Sequence, residues 1–352
     1  MLDNGTRFPN LALMKISGYY KEKGHKTSLL TSYYDIPKYD KVFVSKVFTK
    51  TKIPVNLNFF SNVEYGGTGF YYDKQDFLSN KIEHNYPDYS LYDKFVKKRL
   101  NEGQSRNKWR KYLDYSIGFA TRFCFRQCEY CVNRNKKKVV KWSSIEEFLN
   151  QNKKKIILLD DNFLGYKKWE KILNKLIKIN KPFKFEQGLD IRLLNQKKAK
   201  LLSKSKYEGD YIFAFDDYEE RNKIVPKLKL WREYCKSSTK FYVLVAYKRL
   251  GVQDIIETFE RIKILMKFGC LPYIMRYKDY EKSKYRGMYI NLSRWCNQPN
   301  FYKKMSFREF CIYNKKYNDC TMRYLRKFKK ENPKIADKYF DMKYENLCQY
   351  VH

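Results

Sequence analysis

The chain has 352 residues, 43% of them hydrophobic, and a formal net charge of +36. That is long enough for two domains, or one large α/β domain with additions, around a real core. No run of about 18 apolar residues suggests a membrane span, and the opening MLDNGTRFPN lacks the basic and apolar regions of a signal peptide, so the expected location is the cytoplasm.

The charge supports two readings. Lys and Arg release counterions from phosphates, which points to a nucleic-acid partner. The excess is mostly Lys, spread along a chain also rich in Asn, Ile, Tyr and Phe, and an AT-rich coding sequence would produce that mixture by itself.

In chain order, residues 11–20 read as a helix with Gly24 near its end. Residues 27–30, 42–45 and 63–65 read as strands, the last running into Gly66-Gly67-Thr68-Gly69. This pattern suits a small doubly wound, Rossmann-like α/β domain whose first strand, available only in 1–6, is short or lost. Residues 97–112 and 132–142 are charged and read as connecting surface.

From 115 onward the pattern changes. Short β-rich apolar runs fall at 115–119, 156–160, 183–187, 211–215, 241–246 and 272–275. Runs apolar on both faces are what buried parallel strands require. Helical stripes lie between them at 169–179 and 255–268, the second stopped by Gly269. Six βα units imply a parallel sheet, and a partial six-stranded (β/α) barrel fits better than a full eight-stranded one. Beyond 300 the chain is basic and aromatic, with helices expected over 306–313 and 319–330. The expected domains are therefore 1–105, 106–300 and a helical extension at 301–352.

There are nine cysteines, and an odd number argues against a disulfide framework. Six are scattered and read as mostly buried, inert thiols, Cys296 among them. Cys124, Cys128 and Cys131 have the spacing Cys-x3-Cys-x2-Cys and directly follow the first barrel strand. Loops at the C-terminal ends of parallel strands carry active sites. Thiolates are the preferred ligands of iron–sulfur clusters, and three of them leave one iron of a [4Fe–4S] cluster open. The competing reading is a zinc site, which needs a fourth ligand. The three histidines, His25, His84 and His352, are all remote in sequence.

With Tyr130 before the third cysteine, the loop resembles the Cys-x3-Cys-x-aromatic-Cys signature of the radical S-adenosylmethionine (SAM) superfamily. The resemblance implies that Cys124, Cys128 and Cys131 ligate the cluster and that Tyr130 lines the adenine site. It also implies that SAM chelates the open iron, and that one electron splits its sulfonium into methionine and a 5′-deoxyadenosyl radical. An electron donor such as flavodoxin or ferredoxin follows as a partner. Arg122, Arg126 and Arg134 would favour the reduced cluster.

At the end of the second run, Asp160-Asp161-Asn162 stands where the family often has Gly-Gly-Glu and meets SAM's amino group; the alternative is a helix cap. Gln187, Asp190 and Arg192 follow the third run in a Gln-Gly-Leu-Asp pattern that related subfamilies use near SAM or substrate; the alternative is a cap with a surface salt bridge. Asp216 follows the fourth run and could reach SAM's ribose. Residues 1–105 resemble the cobalamin-binding domain that precedes many radical SAM domains, but no Asp-x-His-x-x-Gly element supplies a cobalt ligand, so cobalamin is not the expected cofactor. The chain as a whole resembles radical SAM proteins of bacterial viruses and their hosts. Its substrate is expected to be a nucleic acid or nucleotide; a peptide or metabolite, or a non-catalytic metal-stabilised binding role, are the alternatives.

Overall fold

The computed structural model describes residues 2–3, 8–72, 77–317 and 319–350. By compactness the chain divides once, into Met1–Phe183 and Lys184–His352. It is a mixed α/β protein with small parallel sheets.

The first unit opens with a parallel three-stranded sheet of β1 (Leu2–Asp3), β2 (Val42–Ser45) and β3 (Val63–Gly66), in that order. The first strand is two residues long, as short as the sequence implies; Met1 and residues 4–7 lie outside the described residues. The helix Leu11–Glu22 starts where Asn10 Oδ1 accepts the Leu13 N–H at 3.2 Å, an N-cap contact. The strand expected over 27–30 does not form; only Leu30 makes an isolated bridge. Leu29 packs with the Leu13, Met14 and Trp109 cluster, whereas Leu30 packs with Val42 and Val44. The segment thus alternates its side chains like a strand without entering a ladder.

Residues 97–112 are not simply connecting surface. The helix Asp93–Asn101 starts this region, and Val96, Trp109 and Tyr112 are buried against Leu13 and Met14. Full burial of each large apolar side chain is worth about 1.5–3 kcal/mol, enough to draw a charged segment inward on its apolar positions.

β4 (Tyr115–Gly118) then leads to β5 (Thr121–Arg122), which pairs antiparallel with β6 (Val140–Lys141). The parallel pairing of β4 with β7 (Lys155–Leu158) runs from Tyr115 opposite Lys155 to Gly118 opposite Leu158. β8 (Phe183–Phe185), where the first unit ends, follows β7 in sheet order. β4 is buried throughout, as the continuous apolar run requires.

The second unit carries β9 (Tyr211–Ala214), β10 (Thr239–Val245) and β11 (Leu271–Arg276), parallel, with β10 central. The helix Val252–Lys267 buries Ile255, Phe259, Ile262 and Leu265, the stripe read from the sequence. Arg261 on the same helix is 2% exposed. It donates to the carbonyls of Phe215 (3.2 Å), Asp216 (2.6 Å) and Leu244 (2.8 Å), tying together the C-terminal ends of β9 and β10. The expected C-terminal helices form at Phe307–Lys315 and Cys320–Glu331, the first opened by a Ser306–Glu309 capping box. Among the described residues no helix is long and apolar enough to cross a membrane.

Candidate functional site

Cys124, Cys128 and Cys131 lie on the loop between β5 and β6. All three are half-buried and free of disulfides. The loop is tightly wound: Phe123 and Gln127 adopt φ of 73° and 51°, and the Cys131 N–H donates to the Cys128 carbonyl at 2.9 Å. Amides aim at two sulfurs. The Arg126 N–H donates to Cys124 Sγ at 3.4 Å and the Asn133 N–H to Cys131 Sγ at 3.5 Å. Burial pushes the Cys131 thiol above its usual range, the Asn133 amide opposes this, and Cys128, Asp161 and Cys124 add to the rise. Tyr130 presents its carbonyl to the Tyr72 hydroxyl at 2.8 Å.

What holds this loop is the run Asp160-Asp161-Asn162 after β7. Asp160, with no exposed surface, accepts from the Ala120 N–H (3.1 Å), the Thr121 N–H (2.6 Å) and the Thr121 hydroxyl (2.5 Å). Asp161 accepts the Phe123 N–H at 2.7 Å. Asn162 Nδ2 donates to Cys124 Sγ at 3.2 Å, while its buried Oδ1 has no partner among the described residues. Three successive side chains thus grip residues 120–124 in step. Gly165 completes the fit, because a Cβ there would stand 2.8 Å from the Phe125 ring. The sequence places Asp160 to Asn162 beside a cofactor or at a helix cap. Anchoring of the cysteine loop was not legible, because it depends on β4 and β7 being neighbours.

Burial pushes the Asp160 carboxyl up to about 7; the Thr121 and Ala120 donors oppose this and Asp161 adds to it. Its folded value therefore lies above the unfolded carboxylate value of about 4. The native chain then holds more protons than the unfolded chain between about pH 4 and 7. This group's contribution to stability is complete below that window and is lost as pH rises through it. Asp160→Asn sets an amide donor against converging donors, at an expected cost of about 2–3 kcal/mol. Urea midpoints measured from pH 4 to 8 should be lower in the variant and lack the wild-type decline attributable to this group.

In the second unit, Gln187 is exposed in the turn after β8, before Gly188 at φ 88°. Asp190 and Arg192 meet directly: Arg192 Nε donates to Asp190 Oδ1 at 2.7 Å, and its Nη1 to Glu220 Oε1 at 2.6 Å. Asp190 also accepts the Arg192 N–H at 3.1 Å, so the geometry is the cap with a salt bridge. Glu220, unmarked by any motif, is the partner that sequence reading missed. Asp216 Oδ1 accepts the Leu244 N–H at 3.1 Å, which aims that oxygen along β10. Cys296 is 1% exposed, and burial raises its thiol far above the usual range, as suits an inert core residue.

Among the described residues, no three His, Cys, Asp or Glu side chains converge tightly enough to hold a single metal ion. His84 is engaged with Glu147 at 2.8 Å, and His352 lies outside the described residues. A tetrahedral zinc site would draw its sulfurs to about 3.8 Å of one another, given Zn–S bonds of about 2.3 Å. A cubane instead takes each thiolate on a different iron, so its sulfurs stand farther apart. Cys124, Cys128 and Cys131 lie half-buried on one wound loop, with amide donors on two of the sulfurs. Compared with protein-family models and with curated proteins, the chain matches none.

Proposed function

We propose that this chain is an iron–sulfur enzyme whose cluster is ligated by Cys124, Cys128 and Cys131. More narrowly, the reading is a radical SAM enzyme. The observation that carries it is the cysteine loop itself: three cysteines on one loop between β5 and β6, soon after the buried parallel strand β4, with Phe123 and Cys124 held by Asp161 and Asn162 after β7.

The cluster, when bound, would supply the electron that splits SAM's sulfonium to yield a 5′-deoxyadenosyl radical. The protein's own work is positioning. Asp160 and Asp161 hold the loop, and Asn162 donates to a thiolate sulfur, which lowers its charge density and tunes its potential. Asp161 is half-buried and its Oδ1 has no partner among the described residues, which suits it to SAM's ammonium group. Gln187, Asp190, Arg192, Asp216 and Tyr130 are assigned to SAM or its surroundings on the resemblance. A flavodoxin or ferredoxin is the electron donor in this reading.

Anaerobic reconstitution with iron and sulfide tests it. The expected product is a brown protein with about four irons per chain that releases 5′-deoxyadenosine when given SAM and dithionite. A colourless chain that takes up a single zinc would refute it.

A nucleic acid or nucleotide is the favoured substrate. Beside the loop's first residues a groove of about 290 Å³ has Ala120 in its wall and exposed Lys141, Lys168 and Lys171 around it. Lysines so placed neutralise phosphates and make binding salt-dependent. Reversing Lys168 and Lys171 to Glu should weaken RNA binding and flatten the slope of log affinity against log salt by about 2. An unchanged slope in a filter-binding series would remove the groove from the interface.

A further inference from the structure

In the first unit a cavity of about 460 Å³ opens at the C-terminal ends of β2 and β3, where Ser45 and Gly66 line it, and against the first turn of the helix Leu11–Glu22. Its size falls within the about 300–1,000 Å³ of small-molecule sites. Its place, outside the carboxyl ends of parallel strands, is where open α/β sheets bind ligands. Gly67, at φ 105°, keeps the turn after β3 folded against Lys46; a Cβ there would meet the Lys46 carbonyl at 2.5 Å.

The charged side chains lining the cavity are Lys15, Glu64, Glu83 and Arg122. Lys15 is paired with Glu83 at 2.7 Å, and Glu64 with Lys41 at 2.6 Å. Arg122 remains. Its guanidinium carbon lies 4.6 Å from the Phe119 ring centroid, 4.8 Å from Trp142 and 5.0 Å from Phe77. Its Nε is buried with no hydrogen-bond partner. Glu83 and Asp161 are the carboxylates that act on it, and neither reaches that Nε. A half-buried guanidinium with an unmade hydrogen bond favours an anion that completes it. The amides of Leu11 and Ala12, residues that also line the cavity, have no intrahelical acceptor, because they open a helix. The N-terminus of a twelve-residue helix favours an anion. Phe43, Tyr65, Phe77 and Phe119 supply aromatic surface.

We propose that this cavity binds a nucleoside monophosphate, its phosphate taken by Arg122 and the first-turn amides, its base laid against the aromatic wall. Stacking on aromatic side chains serves any base, so recognition is of the nucleotide class. Binding can be tested on the chain with or without iron.

The test is isothermal titration calorimetry of the full chain with AMP, adenosine, inorganic phosphate and hydroxocobalamin in parallel. AMP is expected to bind and to outcompete adenosine and phosphate. Arg122→Met keeps an apolar stem among the rings and should weaken AMP about ten- to hundred-fold, the range of one lost charge-assisted contact. Ala12→Phe fills the cavity from the helix that lines it and should also abolish binding, which keeps the test decisive should the arginine variant fail to fold. The proposal is overturned by absence of AMP binding, by AMP affinity indifferent to Ala12→Phe, by phosphate binding as tightly as AMP, or by hydroxocobalamin displacing AMP.

Discussion

Cys128→Ala is expected to lose the cluster and all SAM cleavage. With one thiolate removed, two protein ligands remain for four irons, and iron content after reconstitution should fall from about four per chain to near zero. The visible absorbance and 5′-deoxyadenosine release should disappear together. The fold should survive, because Cys128 is half-buried on a loop and not in a packed core. Cys296→Ala is the matching control: that thiol is buried away from solvent, and its loss should leave the iron content intact. Iron analysis, far-ultraviolet dichroism and product assay on both variants decide the matter. Normal turnover by Cys128→Ala would end the cluster assignment.

Arg261→Met should produce the largest loss of stability of any single change outside the apolar core. Three carbonyls would lose their donor, those of Phe215 and Leu244 buried and that of Asp216 partly so. Each buried acceptor left unmade costs about 1–3 kcal/mol. Removing a buried charge gives some of that back, since burial itself holds the Arg261 pKa below its usual value. The net expectation is a loss of about 3 kcal/mol in denaturant unfolding. Arg261→Lys should not restore it, because one ammonium cannot span the ends of two strands. A loss under about 1 kcal/mol would mean that relief of desolvation outweighs the three contacts.

The parts of this chain legible without a structure share one property: their signal is local. The six β-rich runs from 115 to 275 all contain strands, because a parallel strand buried on both faces must be continuously apolar. The helix stripe on 252–267 and the Ser306–Glu309 cap are likewise written within a few residues. The cysteine loop was legible because thiolate spacing on one loop is itself the chemistry.

Other features depend on neighbours that sequence distance hides. The segment 27–30 carries strand-like alternation, yet its backbone finds no ladder, and that depends on which edges the sheet leaves open. The role of Asp160, Asp161 and Asn162 required β7 to lie beside β4, which brings residue 160 to residue 120. The aromatic cage of Arg122 draws on positions 77, 119, 123 and 142, and no periodicity relates them.

Sequence by itself determined the α/β class, the order of the βα units and the three candidate ligand thiols, since periodicity and spacing act over short stretches of chain. Only the tertiary structure decided which carboxylates hold the loop, that Arg192 pairs with Glu220, and that the Nε of Arg122 is buried without a hydrogen-bond partner. Hydrogen bonds and ion pairs are made across space, and their partners are set by how strands stack, not by how residues are spaced.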